Sequence, residues 1–185
     1  VESEMARAPW TTCPGAPAKL VETFTGLSLS DAARAGEKTL NCTHLHDLAG
    51  LGAAHHADKS ESFFAIVVTD PVDGRRVLTI ARDGEELLRI VEQDNLVTEP
   101  AEAAGRNLFQ LGDWIKTLSP EQAEAARLLR WGAIIAHGRL QPIEAHSDAT
   151  KMPPNCFTFQ PGRKEVAERV GKVIDFSKTE RLPLD

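Results

Sequence analysis

Hydrophobic positions along the chain change period as it proceeds, and the changes mark the elements. From Thr43 onward, His44, Leu48, Leu51 and His55 recur at helical spacing, which predicts a helix through about Ala57 with Thr43 as its N-cap. Leu45, Leu48 and Gly52 define the apolar stripe of that helix, so His44 is expected beside the core and His46 toward water. Residues 62–70 are rich in Phe, Val and Ile, and Asp70-Pro71-Val72-Asp73-Gly74 is turn chemistry leading into a second strand, Arg76 to Ala81. Asp83-Gly84 then turns the chain into Glu86 to Gln93, whose composition also suits a helix and which is assigned here as a third strand. Ser119-Pro120-Glu121-Gln122 joins an N-cap, a proline at the first helical position and a glutamine three residues after the cap. The Ala- and Leu-rich run behind it predicts a helix to about His137, stopped by Gly138. Shorter signals predict a helix beginning near Lys19, an apolar piece at Cys156 to Phe159 and a helical stretch from Lys164 to Val173.

These elements predict an α+β fold, with an antiparallel sheet of about three strands between residues 62 and 98 packed against helices. The helices at Thr43 and Pro120 are expected to cover the sheet, with any pocket where they meet it. A length of 185 residues suits one domain, and residues 141–185 are expected to wrap it as a C-terminal extension.

Composition narrows the partners. The net charge of -6 has the wrong sign for neutralising phosphates, so neither nucleic acid nor an anionic membrane is expected. No apolar run approaches the ~20 residues of a bilayer-spanning helix. Cys13, Cys42 and Cys156 are an odd number without a C-x-x-C pair, which points to a reducing, cytoplasmic compartment. The sequence begins at Val1, and whether an N-terminal region precedes it is left open. Homo-oligomerisation is left open.

The box Asn41-Cys42-Thr43-His44-Leu45 at the start of the second helix resembles the bacterial domain of unknown function 2889 family. Met5 to Cys13-Pro14, Gly26-Leu27 and Cys156-Phe157-Thr158-Phe159-Gln160-Pro161 support the resemblance in the same order along the chain, from about Met5 to Phe176. It implies a common fold and a candidate site around the box. It implies no reaction, because the family label carries no general activity.

Candidate chemistry therefore comes from the residues. His44, at a helix N-terminus where cations are disfavoured, is expected to be neutral at pH 7 and to act as a general base, oriented by Asp47 one turn on. Its bland alternative is a buried helix-start residue bonded to a loop carbonyl. Cys42 is the weaker candidate, since residues two apart seldom face each other. Arg139, beside His137, is the preferred anion-binding arginine, and Trp131 is a candidate wall of a substrate site. Most of the arginines on the sheet and long helix are expected on solvated faces, although one aimed into a sheet-helix pocket could bind a carboxylate or stabilise an oxyanion. His44 and His55 lie roughly 16 Å apart along the helix, so they share no metal ion, and any metal needs ligands such as His137 or His146 from elsewhere. With no Tyr, no phenol can serve as acid or base. The sequence lacks G-x-G-x-x-G, a P-loop, G-x-S-x-G and H-E-x-x-H. Elimination leaves a cofactor-independent acid-base enzyme of the lyase, hydratase or isomerase class acting on a small organic molecule. One example is release of formaldehyde from a hydroxymethyl group on a lignin-derived aryl compound. The alternative is a non-catalytic small-molecule-binding or regulatory module.

Overall fold

A computed structural model of the chain describes residues 8–58, 60–137, 140 and 147–170. The elements in order are α1 (Ala16–Phe24), α2 (Leu29–Ala32), α3 (Thr43–Ala54), β1 (Phe64–Val68), β2 (Arg75–Arg82), β3 (Glu85–Gln93), β4 (Leu96–Glu99), α4 (Gly112–Ile115) and α5 (Pro120–His137). The fold is α+β, with four antiparallel strands where about three were expected. Contacts divide the chain into two compact units, one of Ser60–Gln141 and one of Val1–Lys59 with Pro142–Asp185. Among the described residues no helix is long and apolar enough to cross a membrane.

The Ser60–Gln141 unit is a meander in the order β1-β2-β3-β4. Its turns explain its register. Asp83 and Gly84 both take positive φ, 52° and 89°, which matches a two-residue hairpin turn to the twist of β2 and β3. The missed fourth strand follows a second such turn, Asp94-Asn95, with φ of 51° and 67°. No glycine marks it, but Asp and Asn tolerate the left-handed region. Arg76, Leu78 and Ile80 alternate as buried residues on β2, and Leu78 and Ile80 pair with Ile90 and Leu88 of β3. Helix α5 covers this apolar face, burying Ala123, Ala125, Ala126, Leu129 and Ala133. Ser119 caps it as the sequence predicts, its Oγ accepting the Gln122 N–H at 3.3 Å. At Gly132 the helix runs so close to β1 that a Cβ would stand 2.6 Å from Ile66 Cγ2.

Arg76 is an exception to the expectation that most of the sheet arginines face water. It is 3% exposed and paired with Glu92, itself 1% exposed. Its Nη2 donates to Asn95 Oδ1 at 3.0 Å, and the other Glu92 oxygen accepts the Asn95 N–H. The buried charges are therefore matched and hydrogen-bonded, which is the condition for their burial.

In the other unit α3 packs on α1 and α2. A small core of Trp10, Ala149 and Phe159 stands apart from the sheet core, with Cys13, Met152 and Cys156 against it. Residues 142 onward, expected as a wrapping extension, group with the N-terminal helices. The helix expected from Lys164 is absent through Val170. Gly162 (φ 84°) sits in a run of turns, and the chain then pairs with residues 9–11. Thr11 N–H donates to Glu168 O and Val170 N–H to Pro9 O, both at 3.0 Å, so those backbone groups find partners across the bridge instead of along a helix. The end of that expected helix, Gly171 to Val173, lies outside the described residues, as do Met5 and Phe176 of the family resemblance.

Candidate functional site

The start of α3 gathers the reactive side chains. Cys42, not Thr43, is the N-cap. Its backbone is extended (ψ 114°) while its carbonyl accepts the His46 N–H at 2.9 Å, and the helix ends at Ala54, so His55 and His56 fall outside it. The cap uses no side-chain hydrogen bond, which leaves the thiol to its neighbours. Cys42 Sγ stands 3.9 Å from His44 Nδ1, so these two residues do face each other.

The phase of α3 is the reverse of the expected one. His46 is buried, 6% exposed, and His44 lies at the surface, as does Leu48 at 49%. The buried stripe is His46 and Ala53 with half-buried Ala49 and Gly50 between them. Small residues let α3 approach closely, and a Cβ on Gly50 would already lie 3.9 Å from the Ala32 carbonyl. A leucine stripe would hold the helices further apart. His46 is accommodated because its Nε2 bonds the Gly36 carbonyl at 2.8 Å and its ring meets Phe24 edge-on, centroids 5.2 Å apart. The role expected of a buried His44, a helix-start ring on a loop carbonyl, belongs to His46. Asn41, fully buried, completes this lock, donating to Thr23 Oγ1 and to the Glu37 carbonyl, each at 3.1 Å.

His44 keeps the chemistry. The protein mass around its ring withholds solvent and lowers its pKa below the ordinary 6.5; Asp47 raises it in part and the Lys38 ammonium lowers it again. Since the residue's surface is exposed, water screens these effects, and the direction is what matters: neutral imidazole at pH 7. Asp47 is not dedicated to His44. Its carboxylate takes the Lys38 Nζ at 2.5 Å, so a cation and an anion are held together beside the imidazole. Lys38 carries no sequence signal, because it reaches Asp47 from a turn nine residues earlier.

The other candidate residues belong elsewhere. Trp131 and His137 are half-buried on α5, in the sheet unit, while His44 and Asp47 are in the helical one. Six residues apart on a helix, the two side chains leave it roughly 120° apart, so they do not share a face. His137 meets Phe109 edge-on at 5.2 Å. Arg130 spends two donors on the Phe109 carbonyl. Arg139 and His146 lie outside the described residues. Among the described residues no three His, Cys, Asp or Glu side chains converge as a metal-ligand set.

No family model, curated protein or solved structure matches this chain.

Proposed function

We propose that the chain is a cofactor-independent acid-base enzyme with His44 as its general base, acting on a small organic molecule by lyase-type cleavage. The observation that carries this reading is the surface-exposed His44, kept neutral at pH 7, beside Cys42 and the Lys38–Asp47 pair. A neutral imidazole can take a proton from a bound hydroxyl. In the cleavage of a hydroxymethyl group on an aryl-bearing carbon, His44 removes the hydroxyl proton and the C–C bond breaks. Formaldehyde leaves, the bonding electrons pass to the aryl-bearing carbon, and the imidazolium returns its proton there. Lys38, held by Asp47, places positive charge near the developing anion. The lignin-derived aryl class of substrate, the cytoplasmic setting and the resemblance to the domain of unknown function 2889 family belong to the same proposal. Three free thiols support the reducing compartment.

The test is formaldehyde release from a panel of hydroxymethyl aryl compounds by purified protein. Wild type is expected to turn over, with kcat/KM rising with pH through an inflection below 6.5, and His44→Gln is expected to be folded and inactive. Full activity in His44→Gln removes the base assignment.

A second reading rests on a specific observation. Asn41 and His46, at and just past the recognisable box, are buried and hydrogen-bonded, as a purely structural helix start in a binding or regulatory module would require. Titration of the histidines by NMR separates the two: an enzyme's His44 shifts on adding substrate analogue, and a structural module's histidines do not.

A further inference from the structure

Cys13, Cys42 and Cys156 come from three distant segments of the sequence, and hydrogen bonds and packing join those segments to one another. Cys13 opens the turn before α1, Cys42 caps α3 and Cys156 precedes the turn Phe157–Phe159. All three are half-buried free thiols. Cys13 Sγ lies 3.3 Å from Thr158 Oγ1, two residues beyond Cys156, and Thr12 Oγ1 donates to the same hydroxyl at 3.2 Å. The Phe157 N–H donates to the Asn41 carbonyl at 2.8 Å, which sets Cys156 beside the Cys42 segment. Two of the thiols share more than this. Cys13 and Cys156 pack against the same apolar cluster of Trp10, Ala149 and Phe159, whereas Cys42 has His44 as its neighbour. Burial pushes the Cys156 thiol up; the backbone N–H groups of Phe159 and Thr158 lower it in part, and Cys13 and then Cys42 raise it again.

We propose that Cys13 and Cys156 form a redox modification site, in which a small hydroperoxide joins them as a disulfide. A small uncharged oxidant suits half-buried thiols that a bulky glutathione disulfide would not reach. The Cys13 thiolate attacks a peroxide oxygen; an S–O bond forms, the O–O bond breaks, and the departing alkoxide takes a proton from water. Cys156 then loses its proton as its sulfur attacks the Cys13 sulfenic sulfur, expelling hydroxide, which leaves as water. The sum is two thiols and one hydroperoxide giving one disulfide, one alcohol and one water, the alcohol being a second water when the oxidant is hydrogen peroxide. Thr158 acts as a positioning residue, since its hydroxyl holds Cys13 over the segment that carries Cys156. The product ties the residues before α1 to the C-terminal segment.

The test treats the full chain with hydrogen peroxide, alkylates the remaining thiols under denaturing conditions and maps the peptides by mass spectrometry. The expected result is a monomer in which the Cys13 peptide is joined to the Cys156 peptide and Cys42 is alkylated. Cys42→Ser is expected to give the same yield, and Cys13→Ser to give no cross-link. Joining through Cys42, cross-links only between molecules, or sulfinic and sulfonic acids without any cross-link would each overturn the proposal. Because the wild-type map decides the pairing by itself, a variant that fails to fold does not remove the test.

Discussion

At the level of single residues, the two histidines of α3 divide structure and chemistry between them. His46 fills a buried site and its ring is hydrogen-bonded to the Gly36 carbonyl, so His46→Ala is expected to cost about 2–3 kcal/mol, from an orphaned carbonyl and a cavity. His44→Ala, at the surface, is expected to change stability by less than about 0.5 kcal/mol at neutral pH. Urea unfolding of both variants at about pH 7.5 compares them. The pH dependence has a definite sign. The unfolded chain takes up the His44 proton at the ordinary value of 6.5, and the folded chain only at lower pH. Between the two the unfolded state holds more protons, so wild-type stability falls as pH drops through that window and levels off below the folded pKa; His44→Ala should lose this contribution. A His44→Ala protein as damaged as His46→Ala would mean that the phase of α3 has been misplaced. The box around these residues is visible in the sequence, but not its phase. Leucine ordinarily marks the buried side, and the decisive partners, Gly36, Glu37 and Thr23, are backbone and hydroxyl groups whose position no periodicity records.

Elements follow the sequence most closely where local chemistry decides them. The α5 cap, the Asp83-Gly84 turn and strand β2 all follow from local sequence signals, and all form as expected. Two elements do not. Strand β4 is short and its turn lacks glycine, and residues 164–170 carry a helical composition overridden by pairing with residues 9–11. Gly132 shows the opposite case, a tertiary demand placed on an unremarkable position. Glycine in mid-helix sacrifices intrinsic helix propensity, which Ala would restore by roughly 1 kcal/mol in an exposed helix. Here the added methyl would collide with Ile66 Cγ2 on β1, so Gly132→Ala is expected to destabilise by about 1–3 kcal/mol. Ile66→Ala removes the obstructing methyl. In that background the same substitution should cost much less or become stabilising, and a double-mutant cycle measured by urea unfolding reads the difference. Additive effects would show that the helix shifts freely away from the strand.

For the molecule as a whole, the division into two units raises the question of what each can do without the other. The Ser60–Gln141 unit is continuous in sequence, and its strands follow one another in a meander, so its long-range pairings close short loops. Its apolar core is drawn from within it: Leu78, Ile80, Ile90, Leu108, Leu111 and Leu129 are fully buried against one another and their neighbours on the sheet, α4 and α5. Its buried charges are also matched within it, Arg76 to Glu92 and both to Asn95, so excision leaves no orphaned ion. The other unit has a smaller core and joins two remote stretches of chain, whose association costs loop-closure entropy whenever the intervening residues are unfolded. The expectation is therefore asymmetric. A fragment of residues 60–141 should fold alone, showing dispersed amide NMR signals and a single urea transition with a slope near ~1 kcal/mol per molar, as suits a small domain. Residues 1–59 alone should not fold, because Trp10 would lack Phe159 and Arg169, and the backbone of residues 9–11 would lose its partners. A non-cooperative 60–141 fragment, or a stably folded 1–59 fragment, would show that the boundary between the units does not mark a boundary of folding.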